Sequence, residues 1–277
     1  MTTVPRRQIV EMARAECGMI VCAGEALVDL LPVADCEGGA AFRAAIGGSP
    51  FNVAVALGRL GVPSAFLGAL SNDAFGGRIW ATLQESGADM RLITRVERPT
   101  PLALVTMDGA EARYAFYDSG TASRGMTLRE LKPLPEETTA FHFGSMALAA
   151  EPAASTLIAR AKTARGDDRL VCIDPNVRPA IAPSAPDYRR NLDQAMEIAD
   201  IVKLSRADLD WLRQEFRRMR SGKSSLRPAR GSWSSRAEPT VLKRSCGSKS
   251  AKFRRCRFQS STRSARVMRS RQGCSRI

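Results

Sequence analysis

At 277 residues and 44% hydrophobic, the chain has apolar material for one large domain or two small ones. A mean hydropathy of −0.19 and the lack of any apolar run of eighteen residues argue against a membrane-spanning helix. The net charge of +14 would point to nucleic acid, but residues 1–212 carry 22 Lys and Arg against 26 Asp and Glu (net −4), and residues 213–277 carry 20 against only Glu215 and Glu238 (net +18). The chain therefore reads as a mildly acidic globular body followed by a basic, serine-rich segment. Seven cysteines without a C-x-x-C pair suit a reducing cytoplasm better than a disulfide scaffold or a zinc site.

Residues 1–18 contain Arg6, Arg7, Glu11, Arg14 and Glu16 and too short an apolar stretch for a signal peptide, so they read as a leader before a domain starting at Met19. Met19–Gly24 is an apolar run ending in glycine, as a buried parallel strand would be, and Asp29 is expected just beyond its end. Gly47-Gly-Ser-Pro-Phe-Asn52 reads as a glycine-rich turn opening a helix of small and aliphatic residues. Ser64–Ala69 follows as a strand and Asp73–Ser86 as a helix. Pro101–Met107 and Ala112–Tyr117, joined through Asp108-Gly109, form the clearest hairpin, because Asp-Gly between strand-like runs suits a tight turn.

Further along, Ala140–Gly144, Leu170–Ile173 and Ile201–Leu204 are expected as buried strands, with helices over Ala154–Thr163, Tyr188–Ile198 and Ala207–Phe216. Strands separated by helix-length segments imply a mostly parallel sheet covered on both faces, with the hairpin as a small β flap. Ligands of such sheets sit outside the carboxyl ends of the strands, where Asp29, Asp174 to Arg178 and Ser205 fall.

The local chemistry points the same way without settling it. Gly47 and Gly48 at a helix mouth allow close approach of a ligand, Asn52 offers a donor and an acceptor, and Asp29 can accept from paired hydroxyls. On spacing alone, the same residues equally make a helix start with no ligand. Asp174-Pro-Asn-Val-Arg178 puts a carboxylate, an amide and a guanidinium on one loop, which suits a phosphate or an ordinary surface ion pair. Ser205 with Asp208 reads by itself as a helix cap. His142, the single histidine, lies in an apolar strand and reads as a packed residue, so no Ser-His-Asp or Cys-His system and no multi-histidine metal site can be assembled. Gly222-Lys-Ser lacks the upstream glycine of a phosphate-binding P-loop.

Taken in order, Gly24-Glu-Ala-Leu-Val-Asp29, Gly47-Gly-Ser-Pro-Phe-Asn-Val-Ala-Val-Ala-Leu-Gly-Arg-Leu-Gly61, Leu67-Gly-Ala-Leu-Ser-Asn-Asp-Ala-Phe-Gly76, Phe141-His-Phe-Gly-Ser145, Asp174-Pro-Asn-Val-Arg178 and Lys203-Leu-Ser205 resemble the PfkB/ribokinase family of carbohydrate kinases, most closely its bacterial fructokinases. The resemblance implies a ribokinase-like three-layer α/β/α sandwich over residues 19–216, with a mostly parallel sheet and a small β lid including the hairpin at 101–117. It implies that Asp29, Gly47, Gly48 and Asn52 hold sugar hydroxyls and that Tyr114 or Tyr117 touches the sugar from the lid. Asn176 and Arg178 would lie between sugar and ATP phosphates, and Ser205 near the nucleotide. The implied reaction passes the γ-phosphoryl group of ATP, with Mg²⁺, to a sugar hydroxyl. Fructose is the expected substrate, 2-keto-3-deoxygluconate and ribose-type sugars remain open, and a homodimer through the lid is implied.

The resemblance stops near residue 217. The family's G-A-G-D motif, which supplies the carboxylate base and glycine amides for the transferring phosphoryl group, is absent. Yet Ser260 to Arg276, given suitable synonymous codons and read one nucleotide earlier, yields V-V-D-T-V-G-A-G-D-A-F-Q-A-G-L-L-A. A frame shift within codons 213–228 is the expectation, leaving an incomplete, inactive kinase domain and a disordered segment over 217–277. Two other readings stay open: a non-catalytic sugar-binding remnant, and a basic protein binding nucleic acid nonspecifically through its phosphates.

Overall fold

The computed structural model describes residues 18–33, 41–108, 111–182, 184–221 and 240–243. The expected leader at 1–17 and most of the basic segment lie outside these residues. In chain order the elements are β1 (Met19–Ala23), β2 (Leu27–Val33), β3 (Ala41–Gly47), α1 (Ser49–Arg59), β4 (Ser64–Ser71), α2 (Ala74–Ser86) and β5 (Ile93–Val96). The hairpin β6 (Leu102–Asp108) and β7 (Glu111–Tyr117) follows, then β8 (Thr138–Gly144), α3 (Ala153–Gly166) and β9 (Leu170–Asp174). α4 (Ala185–Ile198), β10 (Ile201–Leu204), α5 (Arg206–Ser221) and β11 (Thr240–Lys243) complete the series.

Seven strands form the main sheet in the order β11-β10-β9-β8-β1-β4-β5, with every pairing parallel except β10 with β11. Apolar residues on both faces of β1 and β4 bury these central strands, as expected of a parallel sheet. On one face Val21, Ala23, Phe141, Phe143, Val171 and Ile173 pack against Leu157, Ala161, Tyr188 and Leu192 of α3 and α4. On the other, Cys22 and Phe66 pack against Phe51 and Ala54 of α1 and Ile79 and Leu83 of α2. Among the described residues this second cover stops short of β9 and β10: Leu170 is 43% exposed, whereas Val171, pointing the other way, is fully buried. Cys172, Ile201 and Lys203, on the same face as Leu170, are only half-buried. No helix among the described residues is long and apolar enough to cross a membrane.

The flap is larger than the sequence suggests. It is a four-stranded sheet, β3-β2-β6-β7, in which β2 runs parallel to β6 and the outer pairs are antiparallel. Asp29 therefore sits within a lid strand, not on a loop past β1. Pro32 fits in this strand because it pairs only with Phe42 on β3, beyond the Val28 to Leu30 stretch where β6 runs alongside. Two further differences concern β5, which was not anticipated, and the basic segment. There the helix of Ala207–Phe216 runs on to Ser221, and residues 240–243 form a strand where no regular structure was expected.

Candidate active site

β2 leaves the main sheet directly after β1, so the lid is rooted where the central strand ends. Asp29 stands in register with Ala45 on β3 and Ala103 on β6, and Ala103 pairs with Phe116 on β7. Leu27 and Ala103 belong to the main core and Phe116 packs on it, so this row forms the inner face of the lid. Gly47 ends β3 so close to Asp29 that a Cβ there would meet the carboxylate Oδ2 at 2.7 Å. Glycine thus lets Asp29 lie against the mouth of α1. Burial raises the Asp29 carboxyl above its ordinary range, and the charge of Arg178 pulls it partly back.

Gly48 is the N-cap of α1 with φ of 116°, and a Cβ would strike the Glu25 carbonyl oxygen at 2.5 Å. With no cap side chain, the helix takes its acceptor from elsewhere. Glu25, 1% exposed, accepts the Ser49 N–H at 3.1 Å and the Ala147 N–H at 3.4 Å, one on each carboxylate oxygen. Burial lifts its pKa to about 7, against the hydrogen bonds from the Ser145 hydroxyl and these amides. Asn52, one turn into α1, is exposed, and its side-chain amide has no hydrogen-bond partner among the described residues.

Ser145 follows β8 with φ of 63° and receives a hydrogen bond from the Asn176 side chain at 3.0 Å. Asn176 is itself left-handed, with φ of 38°. Its loop is held by Asp208, whose Oδ1 accepts the Val177 N–H at 2.7 Å, and by the buried Tyr188 hydroxyl, which accepts the Arg178 N–H at 3.2 Å. Arg178 is exposed and donates to the carbonyls of Asn176 and Val177. Ser205 exchanges hydrogen bonds with Asp208, N–H to carboxylate at 2.8 Å and amide to hydroxyl at 3.1 Å, and so caps α5. Asp174, at the end of β9, pairs with Lys203 at 2.8 Å through Oδ2, while its buried Oδ1 has no partner.

Asp29, Gly47 and Gly48 thus meet as the sequence suggests. Asn176 joins them through the chain Asn176, Ser145, Glu25. Tyr114 is exposed on the lid and stacks on Phe116 with ring centroids 6.0 Å apart. His142 is half-buried with Nε2 unpartnered, in line with packing. Sequence reasoning passed over Glu25, although an acid between a strand-ending glycine and an apolar run is a signal for a buried carboxyl. It also passed over the small cleft beside Glu25, lined by Pro101, Asp118, Thr121, Ser123 and Arg124 as well. Nothing in the spacing of Asp118 and Arg124 marks them.

A pfkB family carbohydrate kinase model matches residues 18–224. The chain is 38% identical over 193 residues to a fructokinase of Rhizobium leguminosarum bv. trifolii, covering 70% of this chain and 59% of that protein. It is 36% identical over 201 residues to fructokinase-1 of Oryza sativa subsp. japonica, covering 70% and 62%. Among solved structures, the fructokinase of Xylella fastidiosa with bound ATP superposes with a TM-score of 0.66 at 30% identity, over 72% of this chain and 61% of that one. A fructokinase variant of Vibrio cholerae O395 with fructose, ADP and potassium bound gives 0.63 at 26% identity, over 74% and 67%. The chain thus spans about three-fifths of the length of these curated relatives.

Proposed function

Because the chain belongs to the pfkB family of carbohydrate kinases, we propose that the inner face of the lid at the mouth of α1 is the sugar site of a fructokinase-type enzyme whose phosphoryl-transfer motif is missing from this sequence. The observation that carries the reading is the Asp29 carboxylate resting against Gly47 at the mouth of α1, an acceptor for two neighbouring hydroxyls. The Asn52 amide, one turn away, would complete the grip, and Tyr114 would close on the sugar from the lid. Asn176 and Arg178 would face the phosphates of ATP, with Ser205 behind them as the cap that fixes the loop through Asp208. ATP would supply the γ-phosphoryl group, and Mg²⁺ carried in with it would neutralise charge on the phosphates.

Transfer itself is not expected, because the sequence has no G-A-G-D. Among the described residues no helix covers the Leu170 face of β9 and β10, which supports the same reading, since a sheet of this kind is normally covered on both sides. A one-nucleotide shift between codons 213 and 228 accounts for both. The gene decides it: the adjacent frame is expected to encode V-V-D-T-V-G-A-G-D across residues 260–268, and a coding sequence that does not would end the idea. A coupled assay with fructose and ATP is expected to show no turnover for this chain and turnover for the frame-restored protein.

Cys22 and Cys172 are free thiols, which suits a protein of the reducing cytoplasm. Val33, Phe42, Met107 and Tyr117 expose apolar surface on the lid, the area through which two copies would pair. Sedimentation analysis is expected to show a dimer that Phe42→Asp weakens. The basic segment would meet nucleic acid only through phosphate charge, with binding lost at moderate salt.

A further inference from the structure

Glu25 lies just past β1, and three donors from other segments converge on its buried carboxylate: the Ser49 N–H at the mouth of α1, the Ala147 N–H after β8, and the Ser145 hydroxyl. Ser145 in turn accepts from the Asn176 side chain at 3.0 Å, so its own hydrogen is left for the carboxylate. One acid thereby holds both the turn that carries Gly47 and Gly48 and the loop that carries Asn176. We propose that Glu25 is a positioning residue that performs this task only as an anion, so that fructose binds with release of a proton from its carboxyl. The inference rests on the reading of the inner face of the lid as the sugar site.

The physical reason is a balance of donors and acceptors. An ionised carboxyl only accepts, and all three of its partners here donate. A protonated one brings a further hydrogen, and the one acceptor among those partners is the Ser145 oxygen, which would have to turn its own hydrogen away. A donor is then left unmatched in a buried place, and the mouth of α1 or the Asn176 loop loses its tie. Burial pulls the other way by penalising the charge, and the balance sets the group at about 7, where small changes of pH shift it. Among the described residues, the titratable groups facing Glu25 are the Tyr188 hydroxyl of α4, itself pushed up to about 12 and so neutral, and Asp118 across the small cleft, whose charge Arg124 offsets at 2.5 Å. A sugar that needs the mouth of α1 in place therefore favours the anion and expels the proton.

The first test needs no ligand. In amide spectra of the full chain, the Ser49 and Ala147 resonances are expected to shift together with a midpoint at about pH 7, and to stay still in Glu25→Gln. Resonances that do not move in the parent overturn the proposal, whatever the lid binds. Calorimetry with fructose is the second test. The parent is expected to bind at least about fivefold more weakly at about pH 6 than at about pH 8, and to release roughly half a proton at about pH 7, counted from the heats in phosphate and in Tris. Glu25→Gln, whose amide cannot accept from all three donors, is expected to bind at both pH values about as weakly as the parent does at the lower one. Asp29, the other raised acid at the site, is intact in that variant, so any pH dependence it keeps belongs to Asp29. Equal affinity of the parent at the two pH values, or a folded Glu25→Gln that binds as tightly as the parent at the higher one, overturns the proposal and leaves the sugar-site reading intact. Should Glu25→Gln fail to fold, Ser145→Gly, which suits φ of 63°, removes one donor and is expected to raise the amide midpoint by about one pH unit. An unmoved midpoint overturns the proposal. No fructose binding at either pH, with the amides still titrating, overturns the sugar-site reading and the coupling with it.

Discussion

The Glu25 carboxylate caps a helix it does not belong to, accepting the Ser49 N–H at 3.1 Å across twenty-four residues of chain. Its other oxygen takes the Ala147 N–H, so a single buried acid fixes the mouth of α1 against the segment that follows β8. That arrangement has a consequence for stability.

Burial raises the folded pKa of Glu25 from 4.5 to about 7, so between those values the folded state holds a proton that the unfolded chain has lost. Stability from this group is therefore full at low pH and falls as pH rises to about 7, by about 3 kcal/mol in total. Glu25→Gln removes the titration. Urea melts of both proteins from pH 4.5 to 8 are expected to show the variant gaining on the parent by about that amount. Parallel curves would show that Glu25 does not titrate in this window.

Two glycines should respond in opposite ways to the same change. Gly48→Ala puts a methyl group 2.5 Å from the Glu25 carbonyl at φ of 116°, and is expected to cost more than about 2 kcal/mol and to abolish sugar binding. Gly77 lies exposed within α2, and a methyl group added there would meet nothing within 4 Å, so Gly77→Ala is expected to add roughly 0.5–1 kcal/mol. Thermal melts of the pair check both signs.

Asn176 tolerates its left-handed backbone as few side chains do. Asn176→Gly keeps the loop at the cost of the hydrogen bond to Ser145, whereas Asn176→Ala adds about 1 kcal/mol of backbone strain. Melts are expected to rank parent, glycine and alanine in that order. A fluorescent ATP analogue is expected to bind both variants about tenfold more weakly than the parent.

Adjacent residues of β9 offer a test of the bare sheet face. Val171→Lys buries a charge against α3 and α4 and is expected to prevent folding. Leu170→Lys, on the exposed face, is expected to change stability by less than about 0.5 kcal/mol and to improve solubility. Equal damage from both would mean that Leu170 is covered in solution.

Much of this was legible in the residues alone. Apolar runs such as Met19–Ala23 and Ser64–Ser71, spaced by helix-length segments, determined a parallel sheet, because a strand buried on both faces must be apolar on both and must be reached by a crossover. The order of short motifs likewise determined the family and put Asp29, Gly48 and Asn176 in one region. Only the tertiary structure decided that Asp29 belongs to a four-stranded lid, that Glu25 reaches Ala147 across 122 residues, and that Asp118 neutralises Arg124. Periodicity reports which side of a chain is apolar, a property of neighbours in sequence. Which polar groups meet depends on the order in which strands lie side by side, and that is set by the packing of the whole sheet.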